Sequence, residues 1–509
     1  MSGSMLRAIW VAAVVFALVL TPEARAQQRS AQPASRRNIV FILSDDHRYD
    51  FVGFHPQAPS WLETPALDRM AREGAWFQNA FVSTALCSPS RASILTGQYA
   101  HRHGVTDNNR PVPRGTRFYP EYLRGAGYRT ALIGKWHMGN DSGGPQPGFD
   151  RWVSFRGQGP YFDPVLNVDG RRVARTGYTT DILTDYAIDF MEEQRKAGRP
   201  FLLHLAHKAT HAMFEPAPRH KDRYAASPVR YPPTMKPDAT GRETWPDWVA
   251  SQRSSWHGVD YMYHGTLDYD TFYRRYAETL LSLDESVGRV LEYLDRTGLA
   301  RNTIVVYMGD NGFSFGEHGL IDKRHAFEES MRVPMFVWAP GMVAPGARVS
   351  AMVQNVDIAP TFLEIAGVQA PRQHVMDGRS FLAQLQGRAT GRERDVVLYE
   401  YYWEWNYPQT PTQFALRTDR YKYVYFHGIW DRDGLYDLRD DPMEAVNLAG
   451  RPEHAARVDS LRNRLFDILE STGGTSIPLL RPRNERMDLR RPPNAPSTDP
   501  FVRPRSGPP

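Results

Sequence analysis

Four short, almost wholly apolar runs along this chain each stop at polar residues able to do chemistry. Residues 38–44 (NIVFILS) lead into Asp45 and Asp46, and 129–134 (RTALIG) into Lys135, Trp136 and His137. Residues 201–206 (FLLHLA) lead into His207, Lys208 and, soon after, His211; 303–309 (TIVVYMG) lead into Asp310 and Asn311. A strand with one wet face alternates apolar and polar positions, whereas near-continuous apolar runs suit strands buried on both faces of a mostly parallel sheet. Open α/β sheets place their sites beyond the carboxyl ends of such strands, so the four polar ends are expected to share one edge.

Between the strands the period changes. Leu280, Leu283, Val287, Val290, Leu291 and Leu294 recur mostly at spacings of three and four, with Gly298 as a C-terminal stop. A shorter helix is predicted from Asp357, an N-cap residue type, through Phe362 and Leu363 to Gly367. The segment from Pro216 to Tyr273 breaks the rhythm with proline, tryptophan and tyrosine. It reads either as a functional insertion whose rings suit sugar faces or as an excursion packed on its own aromatics. Beyond about residue 390, short β-like runs (396–402, 414–417, 421–426, 434–438) precede an amphipathic helix near 454–469. The expected fold is therefore α/β, a mostly parallel central sheet flanked by helices, with a smaller C-terminal α+β domain carrying an antiparallel sheet. The corresponding boundaries are a signal peptide at 1–26, a catalytic domain at 37–395, the C-terminal subdomain at 396–475 and a Pro/Arg-rich tail at 476–509.

The signal peptide is read from Arg7, the apolar stretch from Ala8 to Leu20, and Ala24-Arg25-Ala26 as cleavage site. That stretch falls short of the roughly 20 residues that span a bilayer, so export to the periplasm or beyond is expected, without stable membrane insertion. A hydrophobic share of 41% and an aromatic share of 12% exclude a disordered scaffold. The formal charge of +5 is small for 509 residues, and no basic repeat or helix-turn-helix pattern points to nucleic acid.

Cys87 is the only cysteine, which is unusual for an exported chain. Alone it could be a small buried apolar residue. It opens, however, the run Cys87-Ser88-Pro89-Ser90-Arg91-Ala92-Ser93-Ile94-Leu95-Thr96-Gly97, with a helix expected from near Pro89, so that free N–H groups face anionic oxygens. Asp45 and Asp46 from one strand end, with Asp310 and Asn311 from another, offer four hard oxygen donors suited to Ca²⁺ or Mg²⁺ and less to Zn²⁺. Taken singly, such an Asp-Asp pair is more often a turn or helix cap, and its pairing with Asp310-Asn311 reverses that reading. Two Lys/His pairs, Lys135 with His137 and Lys208 with His211, add point charges and proton-exchanging rings, and Lys323 adds a further cation.

Together these residues resemble the formylglycine-dependent sulfatases of the alkaline phosphatase superfamily, over roughly 38–448. The resemblance implies that Cys87 is oxidised to formylglycine by a maturation enzyme, and that the hydrated aldehyde is the nucleophile on a sulfate ester. It implies one divalent cation, usually calcium, held by Asp45, Asp46, Asp310, Asn311 and the modified Cys87. It makes Arg91 and His137 partners of the hydrate, Lys135, Lys208 and Lys323 sulfate-side cations, and His211 the proton donor to the leaving oxygen. The implied substrate is a sulfated small molecule or glycan, with N-acetylglucosamine-6-sulfate-type sugars suggested by residues 207–220. A phosphonate monoester or phosphodiester hydrolase of the same superfamily is the alternative.

Overall fold

The computed structural model describes residues 36–139, 143–236, 243–264, 267–388, 391, 393–428 and 431–478. The expected signal peptide and most of the expected tail lie outside them. Contacts divide the chain into Met1–Arg36 and Arg37–Pro509, and the fold that follows is that of the second unit.

Ten strands make the main sheet: β1 (Asn38–Ser44), β2 (Ala75–Phe77), β3 (Arg129–Lys135), β4 (Arg151–Phe155), β5 (Val165–Val168), β6 (Arg171–Ala174), β7 (Phe201–Ala206), β8 (Thr303–Gly309), β9 (Met335–Trp338) and β10 (Ala347–Val349). Their spatial order is β10-β2-β9-β8-β1-β7-β3-β4-β5-β6. The central strands β8, β1, β7, β3 and β4 are mutually parallel, with Leu43 opposite Ala206 and Met308, and Gly134 opposite Ala206. All four polar strand ends noted in the sequence therefore emerge at one edge. Alternation along β1 feeds two cores: Ile39, Phe41 and Leu43 join one, Val40 and Ile42 the other.

Helices α1 (Pro65–Glu73), α3 (Thr179–Ala197) and α4 (Tyr269–Arg296) contribute to the second core; α2 (Cys87–Thr96) and α5 (Ile358–Ala366) contribute to the first. The predicted stripe of α4, from Leu280 to Leu294, is fully buried. At about 1.5–3 kcal/mol for each such side chain, it far outweighs differences in helix propensity. The helix nevertheless starts well before its clear periodicity, at Tyr269, because Asp268 caps it by accepting from the Thr271 amide at 2.8 Å. Those first residues lie inside the stretch read from sequence as an irregular insertion.

Two further boundaries differ from expectation. Helix α2 begins at Cys87 itself, ahead of Pro89, which the first turn tolerates for want of an N–H obligation there. Asp357 precedes α5 but its side chain does not cap it. It accepts instead from the amides of Gln354 at 2.8 Å and Arg379 at 2.7 Å, tying together the segments on either side.

The C-terminal sheet, β11 (Val397–Tyr401), β12 (Thr412–Arg417), β13 (Tyr421–His427) and β14 (Gly434–Asp437), is antiparallel throughout. One face packs on α6 (Ala455–Thr472) through Leu416, Tyr423, Leu461 and Leu465. The other gives Tyr399, Tyr401, Ala415 and Val424 to the first core, so the small sheet continues the main body.

Candidate active site

Each strand at the carboxyl edge delivers one part of the site. Asp45 and Asp46 follow β1, and Asp310 and Asn311 follow β8, its parallel neighbour. The amide of Asp46 donates to Asp310 Oδ1 at 3.1 Å, and Asn311 Nδ2 donates to Asp46 Oδ1 at 2.7 Å. Carboxylate oxygens of Asp45, Asp46 and Asp310 all lie within 4.8 Å of one another, and all three side chains are buried. Strand β3 brings Lys135 to the same place. Gly134 has φ +114°, and a Cβ there would stand 1.8 Å from the Ala206 carbonyl oxygen, so only glycine permits this close approach to β7.

Helix α2 closes the cluster. Cys87, fully buried at its amino end, directs Sγ to Asp45 Oδ1 at 3.4 Å. One turn on, Arg91 donates to Asp310 Oδ2 through Nη2 at 2.7 Å and Nε at 3.0 Å, and through Nη1 to the Lys135 carbonyl at 2.8 Å. Lys135 is paired with Asp45 and with Gln158, and Lys323 is paired with Asp46. Residues beyond β7 provide the remaining side: His211 Nε2 lies 3.9 Å from Asp46 Oδ2, and the Lys208 ammonium sits 4.7 Å from the centroid of the Tyr161 ring. Above the cluster opens a pocket of about 460 Å³, lined by Asp46, His137, His211 and Lys323, and by Trp256, Tyr263 and Tyr407.

The electrostatics follow from burial and from charges held close. Burial raises Asp45, but Lys135, His211 and Arg91 override it and hold its carboxyl well below the usual range. Asp310 is pushed up to about 7 by burial and by Asp45, and Asp46 is raised by burial, against Lys323. Burial together with Lys135 keeps His137 well below an ordinary histidine. Burial together with Lys323 and Lys135 does the same to His211. Lys208 falls to about 8 through burial and Lys135. Burial and Asp45 push the Cys87 thiol far up, so the unmodified sulfur is held protonated and is a poor nucleophile.

Five non-glycine residues that line the pocket, Asp46, His137, Tyr263, Asp322 and Arg324, have positive φ. Left-handed backbone at such residues costs of the order of 1–3 kcal/mol each and gathers where geometry serves function.

Comparison with known proteins decides the family. The family described as Sulfatase matches residues 37–368, and that described as N-sulphoglucosamine sulphohydrolase, C-terminal, matches 316–471. The chain belongs to the sulfatase family. It is a sulfuric ester hydrolase of the alkaline phosphatase superfamily. It is 32% identical over 500 residues to an N-acetylglucosamine-6-O-sulfatase of Bacteroides thetaiotaomicron, covering 87% of each chain. It is 30% identical over 400 residues to the Homo sapiens N-acetylglucosamine-6-sulfatase, covering 74% of this chain and 69% of that one. A solved structure in complex with its substrate, D-glucosamine-2-N,6-O-disulfate, superposes with a TM-score of 0.80 at 31% identity, over 86% of this chain and 99% of the other.

Membership of the sulfatase family implies a metal ion and a formylglycine. The acidic cluster fits a hard cation on its own terms. Besides its three crowded carboxylates, two of its oxygens, Asp46 Oδ2 and Asn311 Oδ1, are buried without any hydrogen-bond donor. Buried acceptors are rarely left so, and oxygen-only donors suit calcium or magnesium.

Several pocket residues escaped the sequence reading. Gln158, which lines the pocket, and Tyr161, which contacts Lys208 and His211 behind it, lie in the loop beyond β4, with no strand-end motif to mark them. Asn108 accepts from the Ser88 amide at 3.0 Å. Asp322 and Arg324 flank Lys323, and that run of adjacent charges was the signal available. The aromatic segment divides between the C-terminal part and the pocket. Trp245 donates to the Ala445 carbonyl at 2.7 Å and Trp248 packs on Phe426, whereas Trp256 and Tyr263 wall the pocket.

Proposed function

We propose that this sulfatase removes the 6-O-sulfate of N-acetylglucosamine-type sugars in sulfated glycans. The observation that carries the reading is one cluster in which buried acidic oxygens are joined by Cys87 at a helix amino terminus and by Lys135 and Lys323, with Lys208 close by, opening through Asp46, His211 and Lys323 into a pocket whose aromatic wall suits a sugar ring. The names of the relatives, N-acetylglucosamine-6-sulfatases among them, support the choice of sugar.

Asp45, Asp46, Asp310 and Asn311, with the modified Cys87, are the residues to hold one divalent cation, calcium before magnesium. When bound, the cation supplies positive charge to an oxyanion, and oxidation of Cys87 to formylglycine by a maturation enzyme supplies a hydrated aldehyde as nucleophile. The chain's own residues do the rest. Arg91, fixed between Asp310 and the Lys135 carbonyl, balances the acidic cluster and orients the nucleophile. Lys135, Lys208 and Lys323 bind the sulfate oxygens. His211 commits Nδ1–H to the Ala212 carbonyl at 2.5 Å, which leaves Nε2, on the Asp46 side, to protonate the departing sugar oxygen. Burial and then Lys323 and Lys135 lower His211, and an anionic ester seated among the lysines offsets the repulsive part, which favours the protonated ring. His137 is kept neutral by burial and Lys135, and its Nδ1 is buried without a partner, as a base awaiting a proton requires. We further propose export to the periplasm or beyond; no described helix is long and apolar enough to cross a membrane.

A desulfation screen over defined sulfated saccharides tests the substrate. N-acetylglucosamine-6-sulfate is expected to release sulfate fastest, and release from 2-O- or 4-O-sulfated sugars alone would overturn the assignment. Peptide mass spectrometry of active enzyme is expected to show loss of the Cys87 thiol and a hydrazide-reactive aldehyde.

A further inference from the structure

Two buried tyrosines grip the segment that carries Lys208 and His211. Tyr161 and Tyr178 stack with ring centroids 6.0 Å apart. The Tyr161 hydroxyl donates to the His211 carbonyl at 2.6 Å, and the Tyr178 hydroxyl donates to the Glu215 carbonyl at 2.9 Å. The ring of Tyr161 also faces the Lys208 ammonium, 4.7 Å from its centroid. One side chain thus touches both the proposed proton donor and a proposed sulfate-side cation.

The segment's own bonds do not do this job by themselves. The His211 amide donates to the Lys208 carbonyl at 2.9 Å and its ring to the Ala212 carbonyl, but these bonds lie within the turn and leave its height above the sheet undetermined. Upstream, the turn is tied to β1's end by Thr210 N–H to the Asp45 carbonyl at 2.7 Å. Downstream, the tie at His211 is the Tyr161 hydroxyl. Tyr161 is itself anchored, since its carbonyl accepts from the Thr179 amide at 2.8 Å where α3 begins. Among the described residues Lys135 and Lys323 each have a carboxylate partner, whereas Lys208 rests on the ring alone, in cation–π contact.

We propose that Tyr161 is a positioning residue of this sulfatase. Its hydroxyl fixes the His211 turn and its ring seats Lys208, so that proton donor and sulfate-side cation keep a set separation. This rests on the reading of His211 as proton donor and of Lys208 as a sulfate ligand.

The test compares a 6-sulfated N-acetylglucosamine with nitrophenyl sulfate, whose leaving oxygen is a weak base needing little proton assistance. Tyr161→Phe keeps the ring and removes the hydroxyl. It is expected to lower kcat on the sugar sulfate about tenfold, the rate equivalent of one net hydrogen bond, with KM and nitrophenyl sulfate turnover nearly unchanged. Tyr161→Leu, which also removes the ring, is expected in addition to raise KM for both substrates. An equal kcat loss on both substrates in Tyr161→Phe, or no loss on either, overturns the positioning role. His211→Ala, measured alongside, separates the two ideas. If it too fails to discriminate between leaving groups, the proton-donor reading falls and the proposal with it. If it discriminates and Tyr161→Phe does not, only the positioning role falls.

Discussion

Single residues set the charge balance of the pocket, and two of them can be tested directly. Asp310 accepts twice from Arg91 while facing Asp45 and Asp46, so Asp310→Ala removes one hard donor and frees a buried guanidinium. Metal occupancy by elemental analysis is expected to fall to near zero at micromolar metal, and kcat by more than about 10²-fold, since even outer-shell partners of a metal site are worth 10–100-fold. Full calcium or magnesium occupancy in the variant would remove Asp310 from the ligand set. Lys208 makes a pH prediction. Burial and Lys135 bring it down to about 8, so in the free enzyme its charge is present below that pH and lost above it. Since kcat/KM reports free-enzyme groups, it is expected to decline through about pH 8, and Lys208→Arg, charged throughout, is expected to move that limb upward. An unmoved limb assigns the titration elsewhere. Of the site, the sequence shows the residues that sit directly at strand ends, such as Asp45, Lys135 and Asp310, because there local order and spatial placement coincide. Gln158 reaches the pocket, and Tyr161 reaches Lys208 and His211, only through tertiary packing of a loop, and nothing in their neighbourhood along the chain announces it.

Among the elements, α1 and α4 are joined by a carboxylate whose cost depends on pH. Asp284, in the middle of α4, accepts from the amides of Ala66 at 3.0 Å and Leu67 at 2.8 Å, the free donors at the start of α1. Burial lifts its carboxyl to about 7 in spite of these bonds, whereas an unfolded aspartate titrates near 3.9. Between about pH 4 and about pH 7 the folded state therefore holds a proton that the unfolded state releases. The contribution is fully present below the unfolded value and is lost as pH rises through the folded one, by as much as ~4 kcal/mol. Urea midpoints at pH 5 and pH 8 are expected to differ less in Asp284→Asn than in the parent. Asp284→Ala, which leaves two amides unpaired, is expected to lose about 1–3 kcal/mol per amide. Identical pH dependence in parent and Asp284→Asn would show that this carboxyl is not shifted. This tie was invisible in the sequence, where Asp284 is one polar position in an apolar stripe. The helix itself was legible from Leu280 to Leu294, and so were strands such as β1 and β8, since burial on both faces writes an unbroken apolar run. The start of α4 was not, because aromatic residues from Tyr269 to Tyr276 obscure the period.

At the scale of the whole molecule, the C-terminal sheet is a brace for the pocket. Lys422 of β13, fully buried, reaches into the main body to lie 3.0 Å from Glu328 and 2.8 Å from Glu444, and donates to the Ala326 carbonyl at 2.6 Å. Gln413 of β12 donates to the Arg324 carbonyl at 2.9 Å and accepts from the Ala326 amide at 3.2 Å. Glu404, beyond β11, pairs with Arg324 at 2.7 Å. Apart from the pair with Glu444, these contacts converge on residues 324–328, next to Lys323. Lys422→Met would leave the buried Glu444 without its cation, whereas Glu328 keeps Arg417 at 3.3 Å, and breaking a buried ion pair from one side costs about 3–5 kcal/mol. A lowered urea midpoint is expected together with a raised KM for sulfate ester, because Lys323 loses its support. Adding Glu444→Gln removes the stranded charge and is expected to recover much of the stability, giving a favourable coupling in the double-mutant cycle. Strictly additive losses would show that Lys422 packs there without balancing charge. A KM unchanged while stability falls would show that the sheet supports the fold without bracing the sulfate side of the pocket.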